Sequence, residues 1–352
     1  MKINKLSNKL LLLLLSILIC SPSIAEIQLS NHPEDSLAST SSIFGKSPKH
    51  LENLNQNQLN DFGRELITQL FFLLSRVGSK TGEIGGKPNE VFSDAVNTIK
   101  QHLDDDALIQ GARSSTPVTK TTYNPSDYDN FLISDLQLTH PRNDVLVIRY
   151  KVQAPNRVQL ESGEYFSGLE IPRLTVFIWS PTSKQWKLFS HADFDYPVAK
   201  LCGAYNTTLS ELVGDHGSAK DISIARTFVD EYLQQMMQGD PRPMMSRDMQ
   251  SQYGSGVGWT GVENFKKPNL KISLPKHFYV SRKNDLMAIS YAGTPTELVV
   301  GDVEHKDTLI PILYTIMKDH NKNWKIIASA IFATPKKLTN NLECKSPTIK
   351  HN

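Results

Sequence analysis

The chain is 352 residues long, 39% hydrophobic and 21% charged, with 19 glycines and 19 prolines. That length exceeds one ordinary domain and suits two, and the composition excludes a collagen, a coiled coil and a wholly disordered chain. A formal charge of +2, from 38 basic and 36 acidic residues, offers no electrostatic platform for nucleic acid.

Lys2, Lys5 and Lys9 precede an apolar run over residues 10–19, followed by Ser23-Ile24-Ala25. The run is too short to cross a bilayer as a helix, and the small residues suit a leader peptidase. The pattern predicts a signal peptide over 1–25, cut after Ala25, and a periplasmic or secreted mature protein with no stable membrane anchor. Cys20 as a lipidated residue is the competing reading; Ile19 opposes it, since Gly, Ala or Ser normally precedes a lipidated cysteine. Cleavage removes three lysines and no acid, leaving 35 basic against 36 acidic residues, a net −1. The mature chain keeps Cys202 and Cys344. Two cysteines in an oxidising compartment suit a disulfide, and two unlinked thiols suit the count equally well.

Residues 26–50 are rich in Ser, Asn and Pro and read as a flexible arm. A first domain is expected over 51–197. Phe62, Leu66, Leu70, Leu73, Leu74 and Val77 recur at helical spacing, a Gly-rich loop spans 78–88, and Phe92, Ala95, Val96, Ile99 and Leu103 mark a second helix. A short strand is expected at 107–111, a short helical turn near 123–131, and strands at 132–140, 144–153, 171–180 and 186–195. A linker over 198–220 leads to a second domain over 221–335. There Asp221 suits an N-cap, and Ala225, Phe228, Val229, Tyr232 and Met236 form one stripe. Thr260-Gly261-Val262-Glu263 has the form of a capping box, and strands are expected near 270–280, 285–292, 308–318 and 324–333. Residues 336–352 read as a tail.

The two domains are copies. RLTVFIWSPTSKQWKLFSHADFDYP, from Arg173, aligns without a gap at an offset of 138 with PILYTIMKDHNKNWKIIASAIFATP, from Pro311. Ile178 falls on Ile316, Trp186 on Trp324, Lys187 on Lys325 and Phe194 on Phe332; upstream, Ile148 and Tyr150 fall on Ile289 and Tyr291. The two final strands of each copy are joined by hairpin-sized loops and pair antiparallel. Helices first and a meander after them make an α+β domain.

The first of those strings, with the preceding VLVIRYKV and the earlier DDDALIQGA, resembles the nuclear transport factor 2-like superfamily, in particular its SnoaL-like members, over about residues 57–197. The second copy matches through the repeat. The resemblance implies two tandem cone-shaped α+β barrels, each with N-terminal helices packed on a curved antiparallel sheet around a pocket. Members include isomerase-, dehydratase- and cyclase-type enzymes and non-catalytic binding or assembly modules, so membership leaves function open. They often pair through the outer sheet face, and a tandem repeat can satisfy that within one chain as a pseudo-dimer.

His191 and Asp193 lie two apart on a strand and so share a face. In a pocket they suit acid/base work; on the face opposite Trp186, Leu188, Ala192 and Phe194 they meet solvent or the other copy, which is the expected placement. Ser329 and Ile331 replace them in the second copy. Tyr150, Arg173, Tyr123 and Tyr128 are further ligand-binding candidates. Met236, Met237, Met244, Met245 and Met249 surround Asp240-Pro241-Arg242-Pro243; thioether binding of copper is one reading, core packing the favoured one. The run over 254–258 lacks the strand and Lys-Ser/Thr context of a phosphate loop. No nucleophile elbow, zinc pair or cofactor motif appears. The expectation is a non-enzymatic exported module for a small apolar ligand or a protein partner, with a cofactor-free isomerase, dehydratase or cyclase as the alternative. N-terminal sequencing of the exported protein is expected to begin at Glu26, and non-reducing mass mapping tests the Cys202–Cys344 link, which free alkylation of both residues would exclude.

Overall fold

The computed structural model describes residues 43–78, 90–112, 114–123, 131–153, 158–159, 165–166, 170–194, 212–254, 256–300, 303–305 and 309–333. Cys202 and Cys344, the signal segment, Tyr128 and most of the linker lie outside these residues. Among the described residues no helix is long and apolar enough to cross a membrane.

The first half runs α1 (Gln56–Gly78), α2 (Glu90–Gln101), β1 (Leu103–Gly111), β2 (Val118–Thr119), β3 (Leu132–Arg142), β4 (Val145–Gln153), a small β5–β6 pair (Val158–Gln159, Tyr165–Phe166), β7 (Glu170–Ser180) and β8 (Gln185–Asp193). The second runs α3 (Ala219–Gln238), β9 (Met245–Tyr253), β10 (Gly258–Thr260), β11 (Leu270–Ile272), β12 (Tyr279–Lys283), β13 (Leu286–Gly293), β14 (Pro295–Val300), β15 (Val303–His305), β16 (Ile310–Lys318) and β17 (Trp324–Ile331). The main sheets are ordered β2-β1-β8-β7-β4-β3 and β10-β9-β17-β16-β13-β12. Position by position these are one topology used twice, so the duplication holds in three dimensions and each half is α+β.

Each sheet is mixed rather than wholly antiparallel, because β1 pairs parallel with β8 and β9 with β17. The long helices connecting to β1 and β9 place those strands beside the last strand of their half. Strand β9 was not foreseen: Met245 and Met249 are core residues of this strand, and its glutamine and serine positions hide the apolar pattern. The strand expected at 270–280 is two, with β11 diverted into a separate sheet with β14 and β15. Among the described residues the second half has no counterpart of α2; a 3-10 turn, Arg242–Met244, bridges α3 to β9. Ser218, not Asp221, caps α3, accepting from the Asp221 amide at 3.1 Å and donating to its carboxylate at 2.6 Å. The 262–264 turn has Gly261 at its cap with φ +83° and no side-chain cap, so the Thr260 capping box does not form.

The gapless alignment needs one correction. Trp179 pairs with Trp186, whereas Lys318 pairs with Trp324, so the second hairpin is one residue shorter. Residue 178 therefore corresponds to Met317 rather than Ile316. A one-residue slip reverses faces in a strand, so this matters for every assignment on β16. Lys184 and Lys322 hold the left-handed turn position in both hairpins, at φ 51° and 68°.

Strands β4 and β7 are buried almost throughout, the mark of a sheet covered on both faces. On one face Leu146, Ile148, Tyr150 and Val152 join Leu59, Phe62, Leu66, Ile67, Leu70 and Phe71 of α1 in the first core. On the other, Val145, Val147, Leu174, Val176 and Ile178 belong to the core of the second half. The layers thus run helix, sheet, sheet, helix. Polar groups stitch the two sheets: Gln250 donates through Nε2 to the carbonyls of Gln137 (3.0 Å) and Val147 (2.8 Å). Ser290 donates to Gln110 at 2.7 Å, and the Ser190 and Thr315 hydroxyls meet at 2.6 Å. Phe194 stacks on Phe332 at 4.4 Å.

The arm expected over 26–50 is not an arm at its end. Ile43 and Phe44 are fully buried in the first core, and the indole of Trp186 donates to the Lys46 carbonyl at 2.8 Å.

Replacing Gln250 by Met removes the donor from the Val147 carbonyl, which is buried, and from the Gln137 carbonyl, which is partly so. Loss of about 1–3 kcal/mol is expected, read as a lower urea midpoint at unchanged slope; no shift would mean that these bonds do not hold the halves together.

Candidate functional site

The candidate residues meet at one end of the first sheet. Arg173 pairs with Asp193 and Thr175 with His191 across β7 and β8. Tyr150 of β4 pairs with Arg173, and Ile109 of β1 with His191. Four neighbouring strands therefore bring side chains from distant parts of the sequence to one patch.

Which face they occupy is decided by a bulge. The β7–β8 register shifts between Val176 and Phe177, so that Leu188 and Ser190 oppose consecutive residues and Phe189 is the extra one. Alternation changes phase there. Trp186 and Leu188 lie in the core under α1, whereas Ala192 and Phe194 lie between the sheets. His191 bonds Thr175, which bonds the core residue Tyr150, so all three are on the α1 side. The expectation that His191 and Asp193 stand opposite Trp186 and Leu188, towards solvent or the other half, is thereby overturned. Strict alternation does not survive an inserted residue.

The two members of the His-x-Asp pair do different things. Asp193 accepts from Arg173 Nη2 at 3.0 Å, with the guanidinium fully buried and the carboxylate 28% exposed. Arg173 Nη1 also donates to the Pro172 carbonyl at 2.9 Å. A buried guanidinium requires such a counter-charge, since an isolated buried ion is far costlier than a paired one. His191 Nδ1 lies 2.8 Å from Thr175 Oγ1, and Thr175 lies 3.2 Å from the Tyr150 hydroxyl. Thr175 holds one proton, so the chain runs one of two ways. Either Tyr150 donates to Thr175 and Thr175 to Nδ1, leaving Nε2 protonated, or His191 donates and Nε2 is the acceptor. Burial lowers the His191 pKa to about 4; Asp193 opposes that shift and Arg173 adds to it. At neutral pH the imidazole is uncharged, oriented by a threonine rather than by its carboxylate neighbour.

Tyr123 lies partly buried at the edge of the same core. Thr175 is the member that sequence reading missed; a threonine in an apolar strand carries no signal until its cross-strand partner is known. In the second half, the corrected register places Tyr291 at the Tyr150 position, Tyr314 at Thr175, Ser329 at His191, Ile312 at Arg173 and Ile331 at Asp193. Tyr291 and Tyr232 both lie against Tyr314, at 5.7 and 5.4 Å. Burial raises the pKa of each of these three phenols. At the matching positions the second half thus holds aromatic, aliphatic and hydroxyl side chains where the first holds an ion pair and an imidazole. Among the described residues no cluster of His, Cys, Asp or Glu could hold a metal ion.

Because the folded pKa of His191 is below the unfolded value of 6.5, the unfolded chain binds the extra proton between pH 6.5 and 4, and stability falls as pH drops through that window. His102 is lowered to about 4 as well, by burial and then by Lys187, so the comparison must isolate one residue. His191→Gln is expected to flatten the acid-side loss by about 2–3 kcal/mol relative to the parent; equal pH profiles would show that His191 is not buried neutral.

No family model matches the sequence, and no curated protein matches it either. Solved structures do match. A nuclear transport factor 2-like protein from Cytophaga hutchinsonii is 16% identical, with a TM-score of 0.28, over 33% of this chain and 99% of that one. A nuclear transport factor 2-like protein of unknown function from Pseudomonas putida is 12% identical, with a TM-score of 0.26, over 33% of this chain and 88% of that one. The CaMKII hub of S. rosetta is 18% identical, with a TM-score of 0.26, over 33% of this chain and 98% of that one. What this chain is similar to, over about one third of its length in each comparison, is nuclear transport factor 2-like proteins.

Proposed function

We propose that this chain is an exported, non-enzymatic binding module of two nuclear transport factor 2-like domains, in which the first half takes a small, largely apolar ligand with one hydrogen-bonding end. The observation that carries this reading is the Tyr150–Thr175–His191 chain beside the Arg173–Asp193 pair, set against the α1 core and missing from the second half. An interior that is apolar except for a few oriented donors and acceptors suits a ligand of that kind. The neutral imidazole adds a hydrogen bond without a charge to desolvate. One half then carries the ligand site, while the other contributes a covering sheet. The signal-like segment over 1–25 supports export.

A second reading has a specific observation in its favour. An uncharged histidine whose Nδ1 is fixed by a hydroxyl and whose other nitrogen is left for a reactant is the arrangement that proton transfer next to a carbonyl requires. That supports an isomerase, dehydratase or cyclase confined to the first half. Against it, Asp193 is engaged by Arg173 and does not back His191.

Cyclohexanone in deuterated buffer separates the two. The binding reading expects saturable shifts of the His191 ring resonances and α-proton exchange no faster than in buffer alone. Exchange accelerated by the parent and abolished by His191→Ala would establish the enzyme reading, and unmoved His191 resonances across ketones and alcohols of this size would sink the site.

A further inference from the structure

Internal duplication lets the surface of each half serve as the reference for the other. In the first half, the hairpin tryptophan Trp186 is fully buried beneath a short turn, Ile43–Gly45. Ile43 is 0% and Phe44 1% exposed. The Phe44 ring stacks on His102 at 4.1 Å and lies 6.4 Å from Phe177, and the Trp186 indole donates to the Lys46 carbonyl at 2.8 Å.

The same place in the second half is built from matching parts. Met245 pairs with the β17 residue Ile326 as Leu103 pairs with the β8 residue Leu188, so Met244 stands where His102 stands. Lys325 donates to the Pro243 carbonyl as Lys187 donates to the Gln101 carbonyl. Trp324 stands where Trp186 stands. Yet among the described residues no turn lies over Trp324 and no acceptor meets its indole N–H. Instead a groove of about 520 Å³ opens between α3 and the hairpin, walled by Ile224, Phe228, Met244 and Trp324 with Glu231 and Lys325 at its polar side and Thr227 on the same wall. The described stretch leading into α3 runs elsewhere: Leu212 sits by Pro275 and Ala292, and His216 bridges to Tyr279.

We propose that this groove docks a segment of a partner protein carrying a branched aliphatic residue (Ile, Leu or Val) followed directly by an aromatic one in a tight turn, with a backbone carbonyl accepting from Trp324. The first half shows the chemistry of the occupant, because its own Ile43-Phe44 fills the matching site. No residue outside the described ones supplies a second such pair: the aromatics there, Tyr128, Tyr196 and Tyr205, follow Asp127, Asp195 and Ala204. Arg282 and Lys318 stand at 5.6 and 5.2 Å from the Trp324 ring, which holds the ring in place.

The probe is a peptide with the sequence of residues 42–50, SIFGKSPKH, added to full-length mature protein labelled with 5-fluorotryptophan. The four fluorine resonances are assigned by single Trp→Phe variants. A saturable shift of the Trp324 resonance is expected with Trp186 unmoved, weakened at least about tenfold, or ~1.4 kcal/mol, when Phe44 in the peptide is replaced by Ala. Ile224→Asp is expected to weaken it equally, and Thr227→Arg, on the exposed part of the same wall, does so without touching the core. A Trp324 resonance unmoved at millimolar peptide, a shift indifferent to the Phe→Ala change, or movement of Trp186 alone would overturn the proposal. A response that appears only after deletion of residues 336–352 would assign the groove to the chain's own tail and overturn it too.

Discussion

The structure depends on two sheets covering each other. A six-stranded sheet with a helix on one side only would leave Val145, Val147, Leu174, Val176 and Ile178 against water, and the second half supplies the surface that removes them from it. The hydrophobic contribution scales with that buried area, but its direction is set by polar groups, since apolar faces alone slide. Gln250, Gln110, Ser290, Ser190 and Thr315 are buried in the seam and bonded across it. A buried donor without its partner is costly, so a slipped register would forfeit the bonds made by the Gln250 Nε2 and by the Ser290 and Ser190 hydroxyls.

That seam commits the outer faces and leaves each half with its helix side. The two have diverged there. In the first half an ion pair and an oriented imidazole interrupt the apolar interior; in the second, two tyrosines, two isoleucines and Ser329 fill the matching positions. The divergence extends to the hairpin ends, where one tryptophan is roofed by the chain and the other is open among the described residues. The two copies have thus diverged inside and out while keeping the strand order of their main sheets.

Much of this was legible in the sequence. The repeat, the α+β class and nearly all long strands follow from Trp186/Trp324, Tyr150/Tyr291 and period-2 runs, because alternating burial leaves a direct trace. What was not legible depends on register. Phe189 is a single inserted residue, invisible as such in the string, and it turns His191 and Asp193 from the outside to the inside. The shorter second hairpin likewise displaces every match on β16. Strand β9 was hidden because Gln250, Ser251 and Gln252, all buried, read as loop until a facing sheet is there to receive Gln250 and a helix covers the other face. Ile43 and Phe44 were masked by the serines and prolines around them.

The way Gln250 holds the seam bears on how such a chain changes over time. Two of its hydrogen bonds end on main-chain carbonyls, at Gln137 and Val147, and every residue type carries that acceptor. The grip therefore tolerates substitution at the positions it touches, provided that the strand path is kept. A contact that reads backbone rather than side chain allows the two copies to drift apart in sequence while remaining locked in the same relative orientation, which is the condition under which one copy can be reshaped inside without dismantling the other.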